Sequence, residues 1–350
     1  MTIKDIARIS GVTPTTVSNV INKRTSRVSS VTVQKVLSVI EQTGYIPNRN
    51  ARALASKSTR IIGVIFPKVA EGLLQDPFHS QLLSGIEAEI RRCDYYLMIH
   101  SISSYRDLYN LMGNWNVDGI IVLSLLDNES LCPQRMESIP TVFIDAYDVI
   151  GTFPNIGSQD YEGAMLATNH LIQQGHSRIG FIGYDSVIIS RASVISQRIK
   201  GFTQALEDAH IPYSPNKDIF TCGHVKKATG EERRSLLSFI KQHSAVFVSA
   251  DILAVEIMKI LREEGINIPN DLSIIGYDNL PVSELVSPTL STISQNIPQK
   301  GALAAQQLIM QIEGETPTSP IPPLSNSLVL RESVAQFPGE EPSLHHPRPK

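Results

Sequence analysis

Cysteine is scarce in this chain of 350 residues: Cys93, Cys132 and Cys222 are its only three, and they stand far apart. That excludes a disulfide-stapled scaffold, and without a Cys-x-x-Cys pair it also excludes a zinc ribbon or a dithiol redox site. The three read as thiols, mostly buried. Uninterrupted apolar runs are absent too, since no window approaches the roughly eighteen residues of a membrane span. Met1 to Asp5 lack the basic start and apolar stretch of a secretory signal, so a cytoplasmic protein without membrane association is expected. Catalytic signatures are missing as well: no Walker loop, no G-x-S-x-G elbow, no H-E-x-x-H, and no G-x-G-x-x-G at a strand-to-helix turn. Histidines are scattered apart from His345 and His346. No enzyme, cofactor or metal site is expected.

What is present is an uneven distribution of charge. The whole chain sums to −3, yet residues 1–60 carry ten Lys/Arg against only Asp5 and Glu41, a balance of +8. The remainder carries 21 basic and 32 acidic residues, a balance of −11. A basic head on an acidic body suggests a polyanion-binding module joined to something else; a solvated basic helix face is the plainer alternative. The length predicts two or three compact units, and the 42% hydrophobic content is ordinary for a globular chain.

The head begins "TIKDIARISGVTPTTVSNVIN". Thr2 and Asp5 have capping-box spacing for a helix through about Ser10, which Gly11 can end in the left-handed conformation. Thr13 suits an N-cap and Pro14 a first turn, so a second helix is predicted to run to about Ile21. A third helix is read in "VTVQKVLSVIEQTG", where Val33, Val36, Leu37 and Ile40 recur at helical spacing. Ala7, Gly11, Val17 and Val20 fill the positions that a helix-turn-helix requires, although helical bundles that bind nothing share the spacing. With Val17, Val20 and Ile21 inward, Thr15, Ser18, Asn19 and Asn22 face outward as short polar groups able to touch base edges or phosphates.

Beyond Ile61 short apolar runs alternate with amphipathic helices. "RIIGVIFP", "YYLMIHS", "DGIIVLSL" and "PTVFIDA" read as buried strands of one series; "RIGFIGY", "SAVFVSA" and "LSIIGYD" belong to a second. A further strand and helix follow in "PTLSTISQNIPQKGALAAQQLIMQIEG", then a last strand in "NSLVLRES". The fold class is therefore α/β, with two doubly wound parallel sheets after the helical head. Ligands of such units gather at the carboxyl ends of the strands, and two facing units form a cleft. The Pro-rich polar tail, 338–350, is expected to be disordered.

In this order and spacing, "TIKDIARISGVTPTTVSNVIN", "GYIPNRNARALASKST", "IIGVIFP", "VDGIIVL", "QRIKGF" and "IIGYDN" resemble the lactose-repressor/galactose-repressor (LacI/GalR) family of bacterial transcription regulators. The resemblance covers about residues 2–335. It implies a DNA-binding head (1–46), a hinge helix and linker (47–60), and a core (61–337) of periplasmic-binding-protein type. Within the core it implies a first subdomain of 61–158 and 289–320 and a second of 159–288 and 321–337. The implied activity is sequence-specific repression of transcription, with operator affinity controlled by a small effector in the cleft. The implied partners are a pseudo-palindromic double-stranded DNA operator, a sugar-like effector and a second copy of the chain. The tail lacks the leucine heptads of a tetramer, so a homodimer is expected.

The same resemblance places residues. In the head, Pro14, Thr15 and Asn19 match exposed positions of the recognition helix, and Thr13, Thr16, Ser18 and Asn22 lie beside them. Many members carry Arg at the position of Asn19; Asn favours a bidentate contact with adenine over the Arg contact with guanine. Lys4 and Lys23 are candidates for phosphate contacts, with Arg24 and Arg27. Asn48, Arg49 and Arg52 fall in the hinge segment, and Leu54 matches the residue that wedges a central base step. In the core, Arg198 and Asp278 match effector contacts, Asp145 and Gln295 supplement them, and Phe78 is placed to stack on a sugar face. A planar Arg fork opposite a carboxylate suits a polyhydroxylated ligand. Three departures leave the ligand open: Ala250 replaces a frequent Asn, the stretch from His100 to Gly119 is short, and Asp76-Pro77-Phe78-His79 replaces Asn-Pro-Phe-Phe. A purine, a phosphorylated sugar or a protein partner stays an alternative effector, and a sugar-binding protein without a regulatory role an alternative function.

Overall fold

The computed structural model describes residues 1–21, 24–26, 28–45, 58–68, 72–123, 131–147, 153–184, 193–223, 230–315 and 321–337. The chain divides into two compact units, Met1–Arg60 and Ile61–Lys350. In the first, Thr2 caps α1 (Ile3–Ser10) through a reciprocal capping box with Asp5, and Gly11 ends it at φ 63°. The Thr13 hydroxyl accepts from Thr16 N at 3.2 Å and so caps α2 (Pro14–Ile21). Ser29 caps α3 (Ser30–Thr43), which Gly44 ends at φ 60°. Ile6, Ala7, Val17, Val20, Val36 and Val39 form a small core. Leu37, on the apolar repeat read from sequence, is 48% exposed, and Val39 takes the inward place because the buried stripe of α3 runs through 36 and 39.

The second unit holds two sheets. The first has β1 (Ile61–Pro67), β2 (Tyr96–Ile102), β3 (Gly119–Leu123), β4 (Thr141–Ile144) and β5 (Asn155–Ile156) in the parallel order β2-β1-β3-β4-β5. Between its strands run α4 (Pro77–Arg92) and α5 (Tyr105–Asn114). β2 corrects the sequence reading. It is an edge strand with one neighbour, and Tyr96, Ile99 and His100 are exposed rather than buried.

The second sheet follows α6 (Asp160–Gln173). It comprises β6 (Ile179–Tyr184), β7 (Ile219–Cys222), β8 (Ala245–Val248), β9 (Ser273–Asp278), β10 (Ser291–Ser294) and β11 (Ser327–Val329), in the order β11-β10-β9-β8-β6-β7. Among the described residues of this sheet, only β11 is antiparallel to its neighbour. Its helices are α7 (Val194–Asp208), the short α8 (Pro215–Asp218), α9 (Gly230–Ile240), α10 (Asp251–Glu263) and the short α11 (Val282–Leu285). The cysteines are thiols, but half-buried, because Cys93, Cys132 and Cys222 all sit at element ends.

The segment 289–320, read from sequence as part of the first subdomain, is divided. β10 pairs with β9 and β11 in the second sheet, whereas the helix after it, α12 (Ile297–Ile312), packs along α4 of the first half. Two glycines make that packing close: a Cβ on Gly85 would lie 1.9 Å from Pro298 O, and one on Gly301 2.3 Å from Leu82 O. The chain thus crosses between the halves at Gln295–Asn296, with Asn296 at φ 48°. It crosses again around Ser158, which bridges Leu324 of a third crossing segment.

Candidate functional site

In the head, Lys4, Thr13, Pro14 and Thr15 are exposed, while Thr16, Ser18 and Asn19 are half-buried. The capping of α2 holds Pro14, Thr15 and Asn19 on one short helix whose other side, Val17 and Val20, is locked in the core. Such a rigid presentation of polar side chains is what base reading requires. Asn22, Lys23, Arg27, Asn48, Arg49, Arg52 and Leu54 lie outside the described residues.

In the second unit, four of the five core residues singled out from sequence converge, although they are up to 150 positions apart in the chain. Asp145 follows β4 and Asp278 ends β9, both with positive φ (54° and 114°). Arg198 lies in the first turns of α7, with its guanidinium 3.5 Å from the centroid of the Tyr277 ring. Its Nε and Nη2 each reach Asp160 Oδ1 at 2.8 Å, Nη1 donates to Ser249 O at 2.5 Å, and Nη1 lies 3.8 Å from Asp278 Oδ1. Gln295 donates from Nε2 to Asp278 Oδ1 at 2.5 Å, and its Oε1 accepts from Lys300 Nζ at 2.6 Å and from the Ser158 hydroxyl at 3.2 Å. Lys300 Nζ also donates to both oxygens of Asp145, at 2.8 and 2.9 Å. Phe78 is half-buried beside this group, its ring centroid 5.9 Å from Lys300 Nζ.

Three members of the network had no role in the sequence reading. Lys300 is fully buried on α12, Asp160 opens α6, and Tyr147 donates its hydroxyl to Asp160 Oδ2 at 2.5 Å and to Ser158 O at 3.1 Å. The signal for Lys300 was a lone cation on the apolar stripe Ile297, Gly301, Ala304 and Leu308. Asp160 gave none, since an acid in a first turn is ordinary helix chemistry. The bonds tie the halves together twice, through Tyr147–Asp160 and through Asp145–Lys300–Gln295–Asp278.

Burial sets the electrostatics. It pushes the Asp278 carboxyl up to about 8, against the pull of Arg198. Burial likewise lifts Asp251 to about 7, although that carboxylate accepts from Thr292 Oγ1 at 2.6 Å and Leu280 N at 2.8 Å. Asp251 follows Ala250 and ties α10 to β10 and to the segment just after β9. For Arg198, burial opposes the charged form, but Asp160, Tyr277 and Asp278 together hold it above the usual arginine range. A cavity of about 470 Å³ adjoins the network, lined from both halves by Gln81, Pro298 and Gln299 and by Asp278, Asn279 and Asn326, among others. Among the described residues, no cluster of side chains is arranged to hold a metal, and no helix is long and apolar enough to cross a membrane.

Comparison with known proteins gives this geometry its setting. Residues 2–48 match the family described as bacterial regulatory proteins, lacI family, and residues 168–334 match the periplasmic binding protein-like domain. The transcriptional repressor PurR of Vibrio atlanticus is 32% identical over 95% of this chain and 98% of its own length. The chain belongs to the lacI family. The transcriptional regulator GalR of Salmonella typhimurium is likewise 32% identical, over 95% of this chain and 96% of its own length. Among solved lacI-family structures, a Lac repressor dimer bound to operator and the anti-inducer ONPF has a TM-score of 0.78 at 25% identity, covering 96% of this chain and 99% of that one. A CelR–cellobiose complex has a TM-score of 0.69 at 26% identity, covering 95% and 99%. The chain is a DNA-binding transcriptional repressor of this family, with a periplasmic-binding-like effector domain.

Proposed function

We propose that this repressor binds a two-fold symmetric operator as a homodimer, and that a sugar-like effector in the cleft between the two sheets sets its operator affinity. The observation that carries the reading is convergence. Asp145, Arg198, Asp278 and Gln295 come from four separate elements into one buried group, at strand ends, beside a cavity lined by both halves. Cellobiose in the CelR complex supports a sugar as the ligand class. Asp278, which lines the cavity, holds the effector's hydroxyls with Arg198 behind it at 3.8 Å, while Asp145 and Gln295 brace the crossing between halves. An effector that binds the closed arrangement better than the open one shifts operator affinity by that difference, and DNA shifts effector affinity reciprocally. In the head, Lys4 and Lys23 position the protein on phosphates, Thr15 and Asn19 read bases, and Leu54 with Asn48, Arg49 and Arg52 engages the minor groove at the centre.

Selection of random duplex DNA by the full-length protein at about physiological salt tests this, because purely electrostatic binding weakens steeply there. Enrichment of a palindromic site with a flexible central step is expected. An Asn19→Arg variant is expected to move one half-site position from adenine to guanine, a discrimination of about 1–3 kcal/mol. Selection of no symmetric site, or an unaltered preference in Asn19→Arg, overturns the corresponding assignment.

A further inference from the structure

Asp76-Pro77-Phe78-His79 departs from Asn-Pro-Phe-Phe at its two ends, and the two replacements lie together. Asp76 caps α4: its Oδ1 accepts from Phe78 N at 2.8 Å, and its Oδ2 lies 3.8 Å from His79 Nδ1. His79 also reaches back to the 3₁₀ turn Leu73–Gln75, where Nδ1 is 3.2 Å from Leu73 O. A carbonyl oxygen only accepts, so Nδ1 carries the proton. Ser80 makes a second tie, its hydroxyl 3.1 Å from Leu74 O and 3.1 Å from Asp76 O. Two side chains of the first helical turn thus fasten the segment before it, with Phe78 between cap and anchor.

This segment faces the cleft. Gln81, two residues beyond His79, lines the cavity. Burial raises the Tyr184 hydroxyl at the end of β6, and Glu256, Asp76 and Asp278 add to it, so Asp76 of the first half acts across the gap on the second. His79 itself is 7% exposed, and Phe66 and Phe78 flank its ring edge-on, with centroids 5.0 and 6.0 Å away. Among the described residues, Nε2 has no hydrogen-bond partner. A second proton would make Nε2 a donor with no acceptor. Burial holds the imidazole below the ordinary histidine range, against the pull of Asp76 and of the Leu73 carbonyl. Asp76 is the charge that acts on it; β1 presents the uncharged Phe66, and Lys300 of α12 lies 5.9 Å from the Phe78 ring centroid.

We propose that His79 is a positioning residue: its neutral ring clamps the turn Leu73–Gln75 to the start of α4, holds Phe78 in place at the cleft, and lets go in acid. The inference rests on the effector-cleft reading for its use, since a clamped Phe78 is a ready wall for a ligand and a released one must first be ordered. The sign follows from linkage. Clamped, the ring stays neutral; released into water, it titrates at the ordinary value of about 6.5. Below that value the released turn binds the extra proton, so its population grows as pH falls.

The test is hydrogen–deuterium exchange of the ligand-free, full-length protein at about pH 7.5, 6.5 and 5.5, with protection corrected for the intrinsic pH dependence of exchange. The amides of Gln75, Phe78 and Ser80 are bonded to Gly72 O, Asp76 Oδ1 and Asp76 O. In wild type they are expected to lose about tenfold of their protection between about pH 7.5 and 5.5, while the core strand β8 keeps its own. His79→Phe, which restores the aromatic, and His79→Gln, which keeps an N–H for Leu73 O, both remove the titration and are expected to flatten that loss. Two variants are used so that poor folding of one leaves the other to decide. A pH-independent turn in wild type, or an equal loss in the variants, overturns the proposal and leaves the effector cleft in place. Calorimetric titration of wild type with glucose, galactose, ribose and cellobiose at about pH 7.5 reads the cleft itself: no heat from any of them overturns the use of the clamp, whatever the exchange shows.

Discussion

Asp145 and Asp278 occupy corresponding places in the two halves of the core. Each stands at the carboxyl end of a parallel strand with a positive φ, and each is nearly inaccessible. Their surroundings differ. Asp145 has a lysine on both oxygens, whereas Asp278 has an amide on one oxygen, Arg198 at 3.8 Å, and an open cavity beside it. The same strand-end carboxyl group is a tie within the scaffold in one half and part of a cavity wall in the other. What separates them is whether a cation lies within hydrogen-bonding reach.

The sharpest way to break this contrast is to remove the cation. Lys300→Met leaves Asp145 buried and unpaired, and is expected to lower the stability of the core by about 3–5 kcal/mol. Adding Asp145→Leu is expected to restore most of that loss in urea denaturation; no loss in the single variant would dissolve the distinction. A smaller effect is expected from Tyr147→Phe, which removes one hydroxyl bond to Asp160 but no charge. The loss should be about 1.5–3 kcal/mol by the same measurement. The last is smallest when read per pH unit, as a slope. Asp278 keeps its proton in the folded state up to about 8, while the unfolded chain releases it near the ordinary carboxyl value. Between about pH 4 and 8 the unfolded state therefore binds fewer protons, and Asp278 makes stability fall as pH rises. Asp278→Asn should remove that contribution, at most about 1.4 kcal/mol per pH unit, so parallel pH–stability curves for variant and wild type would contradict it.

Much of the architecture was legible in the sequence because it rests on local rules. Capping at Thr2 and Thr13, the left-handed Gly11, and alternating strands and helices are written in nearest neighbours. Arg198, Asp145, Asp278 and Gln295 were legible through resemblance, and the structure brings them together. Their partners were not. Lys300 is an ordinary helix former in sequence, and only the three-dimensional return of α12 to the first half puts it on Asp145. Asp160 looks like any first-turn acid until α7 lays Arg198 across it. The placement of β10 failed for a related reason: the sequence pattern shows a strand followed by a helix, but not that the boundary between halves runs between them. Edge position explains the misread β2, since an apolar composition does not say how many neighbours a strand has.

The glycine contacts between α4 and α12 have a mechanical consequence. With Gly85 against the Pro298 carbonyl and Gly301 against the Leu82 carbonyl, α12 is splinted to α4 from its first turn onward. The two helix backbones touch there with no side chain between them, so α12 is packed as part of the first half, though it is covalently continuous with a strand of the second. Along this connection the chain passes between the halves in the two residues Gln295 and Asn296, and one of those two is the side chain that joins Lys300 to Asp278. The axle of the core and the wire of its charge network are the same short piece of chain.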